Sequence, residues 1–255
     1  MDQQRPMVTA PKRVERPAYR FYRLAWQALD WLYPPNCCGC DHPYTRWCMD
    51  CEEKTRPRAD PICELCGGIV ETAGICAACR NYPPLYSALR SYTIYKDEIR
   101  KAIHRLKYGG DISLGEILSR PMIKLLNSLN WEIDLVVPVP NSLVRKKMRG
   151  YNQASLIAYP IALSCGIPYL AKALERTRDT RSQVGLSAAE RHENVRAAFR
   201  ARRELIAGKS VLLIDDLLTS GATVASCTKA MLEQDACQVY GLTLARTVLK
   251  DSLSL

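Results

Sequence analysis

The 255-residue sequence contains no run approaching the roughly 18 consecutive apolar residues that a membrane-spanning helix needs. Its opening residues, MDQQRPMVTAPKRVERP, lack the apolar core of a secretory signal, so a cytoplasmic location is expected. Glycine and proline are modest, 13 and 15, beside 47% hydrophobic residues, which excludes disordered, collagen-like and low-complexity classes. What remains is a globular chain of one or two domains with a real core.

Cysteine, by contrast, is plentiful. Of the 12, eight fall in 37–79 as four CxxC pairs: Cys37/Cys40, Cys48/Cys51, Cys63/Cys66 and Cys76/Cys79. A reducing compartment disfavours disulfides and leaves clustered thiolates free to bind metal. Four soft ligands per pair of knuckles match a closed tetrahedral site, so two structural zinc ions are expected. Neighbouring pairs are the simplest arrangement, and an interleaved one stays open because spacing does not fix connectivity. His42, the one histidine nearby, reads as a surface loop residue. Cys38 stands beside the first pair, and Cys165, Cys227 and Cys237 read as buried, inert thiols.

Four segments follow. Residues 1–18 form a basic tail with no assigned structure. Residues 19–35 carry an amphipathic helix in which Phe21, Leu24, Ala25, Ala28, Leu29 and Leu32 make an apolar face and Arg23, Gln27 and Asp30 a polar one. The apolar face is expected to dock on a neighbouring domain. Residues 36–83 hold the cysteine module, and 84–255 the largest domain. Net charge over 1–35, 36–83 and 84–255 is +3, −2 and +9, so the basic excess lies on the largest domain and suits phosphate-bearing partners.

Within that domain strand and helix patterns alternate. Strands are expected at Ala88–Tyr95, Asp134–Val139, Ser210–Asp216 and Gln238–Ala245, with helices at Asp97–Lys107, Tyr151–Cys165 and Gly221–Gln234. Continuous apolar strands separated by helices predict an α/β fold, a mostly parallel sheet covered on both faces, with ligands beyond the strands' carboxyl ends.

The segment Val211–Thr223, VLLIDDLLTSGAT, runs from a buried strand through two carboxylates into a glycine-bearing turn and a helix. That order puts Thr219, Ser220, Gly221, Ala222 and Thr223 at a helix N-terminus, where free amides and the dipole favour an anion, so a phosphate is expected there. Asp215 and Asp216 suit the vicinal hydroxyls of a ribose. Both reach one sugar only if the strand ends near Asp215, because successive strand residues face opposite ways.

The segment resembles the phosphoribosyl-pyrophosphate (PRPP) motif of type I phosphoribosyltransferases, with Ser220 where threonine is common. The resemblance extends to the ComF-type subgroup, in which a double zinc ribbon precedes that domain. It is carried by the four CxxC pairs, IHRLKYGG (103–110), VPVPNSLVRKKMRGYNQ (137–153) and RTRDTRSQVGLSAAERHENVRAAF (176–199). It implies a type I phosphoribosyltransferase fold and a site for PRPP with Mg²⁺. Asp215 and Asp216 would hold ribose and Thr219–Thr223 the 5′-phosphate. The loop 138–150, with Val139, Pro140, Arg145, Lys146, Lys147 and Arg149, would cradle pyrophosphate, and Arg149 with Asn152, in the RGYNQ motif, would be its preferred polar contacts. A mobile loop with Arg176, Thr180, Gln183, Arg191 and Asn194 would close over it. His104 and Lys107, three apart on one helical face, read as a surface pairing.

No residue marks itself as a base for a particular acceptor. The resemblance also implies a link to competence and incoming DNA. A second reading is therefore a non-catalytic single-stranded-DNA-binding protein that uses the PRPP loop as a sensor, and a third a regulator whose ribbons recruit a protein partner.

Overall fold

The computed structural model describes residues 16–55, 57, 61–177 and 198–247. Helix α1 (Pro17–Leu32) precedes the cysteine module, whose knuckles each end in a short helix, α2 (Met49–Lys54) and α3 (Ala77–Asn81). The remaining elements are β1 (Ala88–Ile94), α4 (Asp97–Tyr108), α5 (Leu114–Ser128), β2 (Leu135–Pro138), α6 (Leu143–Arg149), α7 (Gln153–Cys165), β3 (Leu174–Arg176), β4 (Phe199–Ala201), α8 (Arg203–Ile206), β5 (Ser210–Leu218), α9 (Ala222–Leu232) and β6 (Gln238–Arg246).

The main sheet has the order β1-β6-β5-β2, and all its pairings are parallel. Its central strands are apolar on both faces because helices cover both. Leu212, Ile214 and Leu242 pack with α4, α5 and α7, while Val211, Leu213 and Val239 pack with α9 and the β3–β4 hairpin. The expected parallel sheet is present.

Helix α4 follows from Ile99, Ala102, Ile103 and Leu106 at helical spacing, with Asp97 and Glu98 in the first turn where the dipole favours them. Helix α7 is capped by Asn152, continues through Pro160 and stops at Gly166 in the left-handed region (φ 66°). Helix α5 crosses α7 at Gly115, where a Cβ would lie 2.6 Å from the Leu156 carbonyl oxygen.

Helix α1 docks by the opposite face to the one expected. Tyr19, Tyr22, Arg23, Trp26 and Asp30 turn inward, while Phe21, Leu24 and Leu32 are 74%, 58% and 61% exposed. Satisfied polar and aromatic contacts fix that choice. Arg46 of the first knuckle pairs with Asp30 (2.5 Å), donates to the Trp26 carbonyl oxygen (3.1 Å) and stacks its guanidinium over the Trp26 ring (4.8 Å), and Tyr22 meets Tyr159 of α7 edge-on. No described helix is long and apolar enough to cross a membrane.

Candidate phosphoribosyl site and cysteine clusters

The cysteines form two clusters of neighbouring pairs, Cys37/Cys40/Cys48/Cys51 and Cys63/Cys66/Cys76/Cys79, each with its four Sγ atoms within 4.8 Å of one another. The interleaved arrangement is not adopted. Sulfur separations of 3.5 Å (Cys40–Cys48), 3.7 Å (Cys37–Cys51) and 3.8 Å (Cys66–Cys76) match the edge of about 3.8 Å for a tetrahedron with Zn–S bonds of about 2.3 Å. Each cluster therefore suits one closed zinc site. Burial raises the Cys63 thiol, yet amide donors from Cys76, Cys66 and Leu65 outweigh it and bring the pKa to about 6, favouring the thiolate. Cys165 and Cys227 are buried as expected, whereas Cys237 is exposed because it lies in the turn before β6.

At the C-terminal end of β5 the chain enters the expected turn. Gly221 takes φ 78°, a conformation that disfavours any side chain, and starts α9 without a side-chain cap. Thr219 and Ser220 are exposed, and no acidic residue occupies the first turn. The Ala222 amide donates to Ser220 Oγ (3.4 Å), and the turn's amides and hydroxyls gather at a positive helix end with no carboxylate in its first turn.

The strand does not end at Asp215 but runs on to Leu218, so Asp215 and Asp216 leave it on opposite sides. Asp215 curls forward, and its Oδ1 accepts the Asp216 amide at 2.9 Å. Burial first, and then the charge on Asp216, push the Asp215 carboxyl well above the usual carboxylate range. Asp216 is 7% exposed, and its Oδ2 lies 2.7 Å from Lys107 Nζ in an ion pair without hydrogen-bond alignment. Lys107 therefore does not form the expected surface pairing with His104, whose ring lies against Tyr108 (4.8 Å).

The 138–150 segment is not a simple loop, since it contains α6. Val139 is buried and donates its amide to the Ile214 carbonyl oxygen (2.8 Å), beside the half-buried Pro140. Asn152 is occupied at both ends of its amide: Nδ2 donates to the Val139 carbonyl oxygen (2.9 Å) and Oδ1 accepts from the Ala154 amide (3.2 Å). Arg149 donates to Gln153 Oε1 (3.0 Å) and stacks over Tyr108 (4.8 Å), and Arg145 is exposed. Arg176, at the end of β3, lies over Phe199. Thr180, Gln183, Arg191 and Asn194 lie outside the described residues.

A cavity of about 370 Å³ lies elsewhere, where α1, the first knuckle and α5 meet, lined by Tyr19, Arg23, Trp47, Tyr92 and Arg120 among others. None of residues 215–223 lines it.

The pattern of the double zinc ribbon domain matches residues 28–80, and that of the phosphoribosyl transferase domain matches residues 114–247. Three relatives are similar over most of their length. "DNA utilization protein YhgH" of Escherichia coli (strain K12) is 30% identical, covering 79% of this chain and 90% of that protein. "Competence protein F" of Haemophilus influenzae is 27% identical (78% and 90%), and "Competence protein ComFC" of Bacillus subtilis 25% identical (88% and 90%).

Proposed function

The chain belongs to the phosphoribosyl transferase domain family, with a double zinc ribbon ahead of that domain, and from this premise we propose that it binds PRPP and transfers the phosphoribosyl group. The observation that carries this reading is the order of parts along one run of chain: a buried parallel strand, two carboxylates, a turn fixed by Gly221 and an uncapped helix start. Amides and hydroxyls of Thr219–Thr223 would hold the 5′-phosphate. Asp216 would accept a hydrogen bond from a ribose hydroxyl, while Asp215, on the opposite side of the strand, accepts the Asp216 amide and fixes the backbone there. Arg145 and Arg149, on and beside the exposed face of α6, would meet the growing charge of departing pyrophosphate. Mg²⁺ bound with PRPP would supply further charge neutralisation. A nucleophile of unknown identity would then take C1′ as the C1′–pyrophosphate bond breaks.

Calorimetry with PRPP and Mg²⁺ tests the binding half. Binding of wild type that is lost in Asp215→Asn/Asp216→Asn is the expected result, and equal binding by both would overturn the reading. Release of pyrophosphate in the presence of candidate acceptors tests catalysis.

A second reading, single-stranded-DNA binding linked to DNA uptake, draws on the names of the relatives and on the +9 charge of residues 84–255. It requires affinity that falls steeply with salt and survives the double aspartate substitution.

A further inference from the structure

Helix α4 carries two cations on its last turn that reach in different directions. Lys107 pairs with Asp216 at 2.7 Å. Arg105 donates to the Cys37 carbonyl oxygen (3.3 Å) and to Asp41 (3.4 Å), both in the first knuckle, and also reaches Asp111 (3.4 Å). The start of α4 meets the same knuckle. A Cβ on Gly39 would come within 3.0 Å of Glu98 Cβ, and Glu98 pairs with Lys54 at 3.6 Å. Tyr151 adds a third anchor by donating to the Leu106 carbonyl oxygen at 2.8 Å. The helix is thus a bar gripped by the cysteine cluster along its length, with Asp216 at its far end.

We infer that Lys107 is a positioning residue for Asp216, held in place by the first four-cysteine knuckle through α4. The inference rests on reading Asp216 as a ribose ligand. Two adjacent carboxylates in a poorly hydrated strand end resist being ionised together, and an ammonium beside one of them removes that conflict. Lys107 meets Oδ2 as an ion pair and not as an aligned hydrogen bond. Lys107 of α4 pairs with Asp216, and both act on Asp215, while Asp215 and Arg176 of β3 act on Cys227 of α9. Without the lysine, the Asp216 carboxylate loses its cation, and affinity for a ligand that needs it in place should fall.

The test compares wild type, Lys107→Gln, Lys107→Arg and Arg105→Gln as full chains with zinc content measured. In PRPP titrations with Mg²⁺, Lys107→Gln should lose about tenfold or more in affinity, the size of an opposite-charge effect. Lys107→Arg should stay near wild type, and Arg105→Gln should lose less than Lys107→Gln, with zinc unchanged. Denaturant unfolding of Lys107→Gln, Asp216→Asn and the double variant reads the pairing without ligand, and the two single losses should not add. Additive losses, or an arginine variant as impaired as the glutamine one, overturn the assignment. Unchanged affinity in Arg105→Gln overturns the link to the knuckle. If Lys107→Gln does not fold, the arginine variant still decides, because charge retention must preserve wild-type affinity. A wild-type chain that binds no PRPP would sink the functional reading, while the unfolding cycle would still decide the pairing.

Discussion

Glu116 accepts two hydrogen bonds from Arg120, from Nε and Nη2 at 2.9 Å each, while wholly shielded from solvent. Tyr19 donates a third at 3.2 Å and Arg23 stands 4.0 Å away, so one carboxylate ties α1 to α5. Burial, and then the charge of Glu116, raise the Tyr19 phenol above its usual range. Glu116→Ala should destabilise the chain by less than the about 3–5 kcal/mol of a fully buried pair, because Arg120 is one-third exposed. Denaturant unfolding measures the loss, and a change near zero would refute the seam.

Asn152 offers a cleaner case. Its amide caps α7 and holds Val139, so Asn152→Ala should cost about 1–2 kcal/mol of stability. Asn152→Asp keeps the cap but turns a carboxylate oxygen toward the Val139 carbonyl oxygen. It should also lose stability in the same unfolding experiment, and a variant as stable as wild type would contradict the Val139 bond.

Asp215 has a folded-state pKa above its unfolded value, so its contribution favours folding at low pH and is lost as pH rises through the folded pKa. Asp215→Asn removes that loss. The variant should melt higher than wild type at pH 8, by about 2–4 °C per kcal/mol recovered, with the gap closing toward pH 4. Scanning calorimetry across pH checks the sign, and a variant that melts lower throughout would contradict it.

Metal content checks the two clusters separately. The wild-type chain should carry two zinc ions, and Cys40→Ser/Cys48→Ser or Cys66→Ser/Cys76→Ser only one. Elemental analysis of purified protein decides, and loss of both ions from either double variant would contradict independent sites.

The strands DLVVPV and SVLLIDD are legible in the sequence because burial on both faces makes them continuous apolar runs. The cysteine spacing likewise exposes the ligand set, though only the structure selects neighbouring pairs. The sequence reading assigns no helix to 114–128, where Pro121 interrupts the pattern, although Ser113 and Glu116 have the spacing of a helix-start signal that Ser113 does not use as a side-chain cap. The fourfold spacing of Leu114, Leu118, Met122 and Leu126 carries the missing signal. Helix α1 shows the limit of periodicity, since its docking face is chosen by Arg46 and Tyr159, which its own residues do not reveal. Lys107 escapes for the same reason, because its partner is remote in the chain and no local pattern announces a cation that reaches across a fold.

The second knuckle lies along the outer side of β1, where the Leu89 amide donates to the Leu65 carbonyl oxygen at 2.7 Å and Arg90 reaches the Glu64 carbonyl oxygen. Gly67 is pressed so close that a Cβ would sit 2.6 Å from the Leu89 carbonyl oxygen. An open strand edge is a template on which another chain can add itself. Stripping the ion from this knuckle should therefore leave more than a frayed loop: it would bare a docking rail for like molecules and turn a metal-starved chain toward self-association.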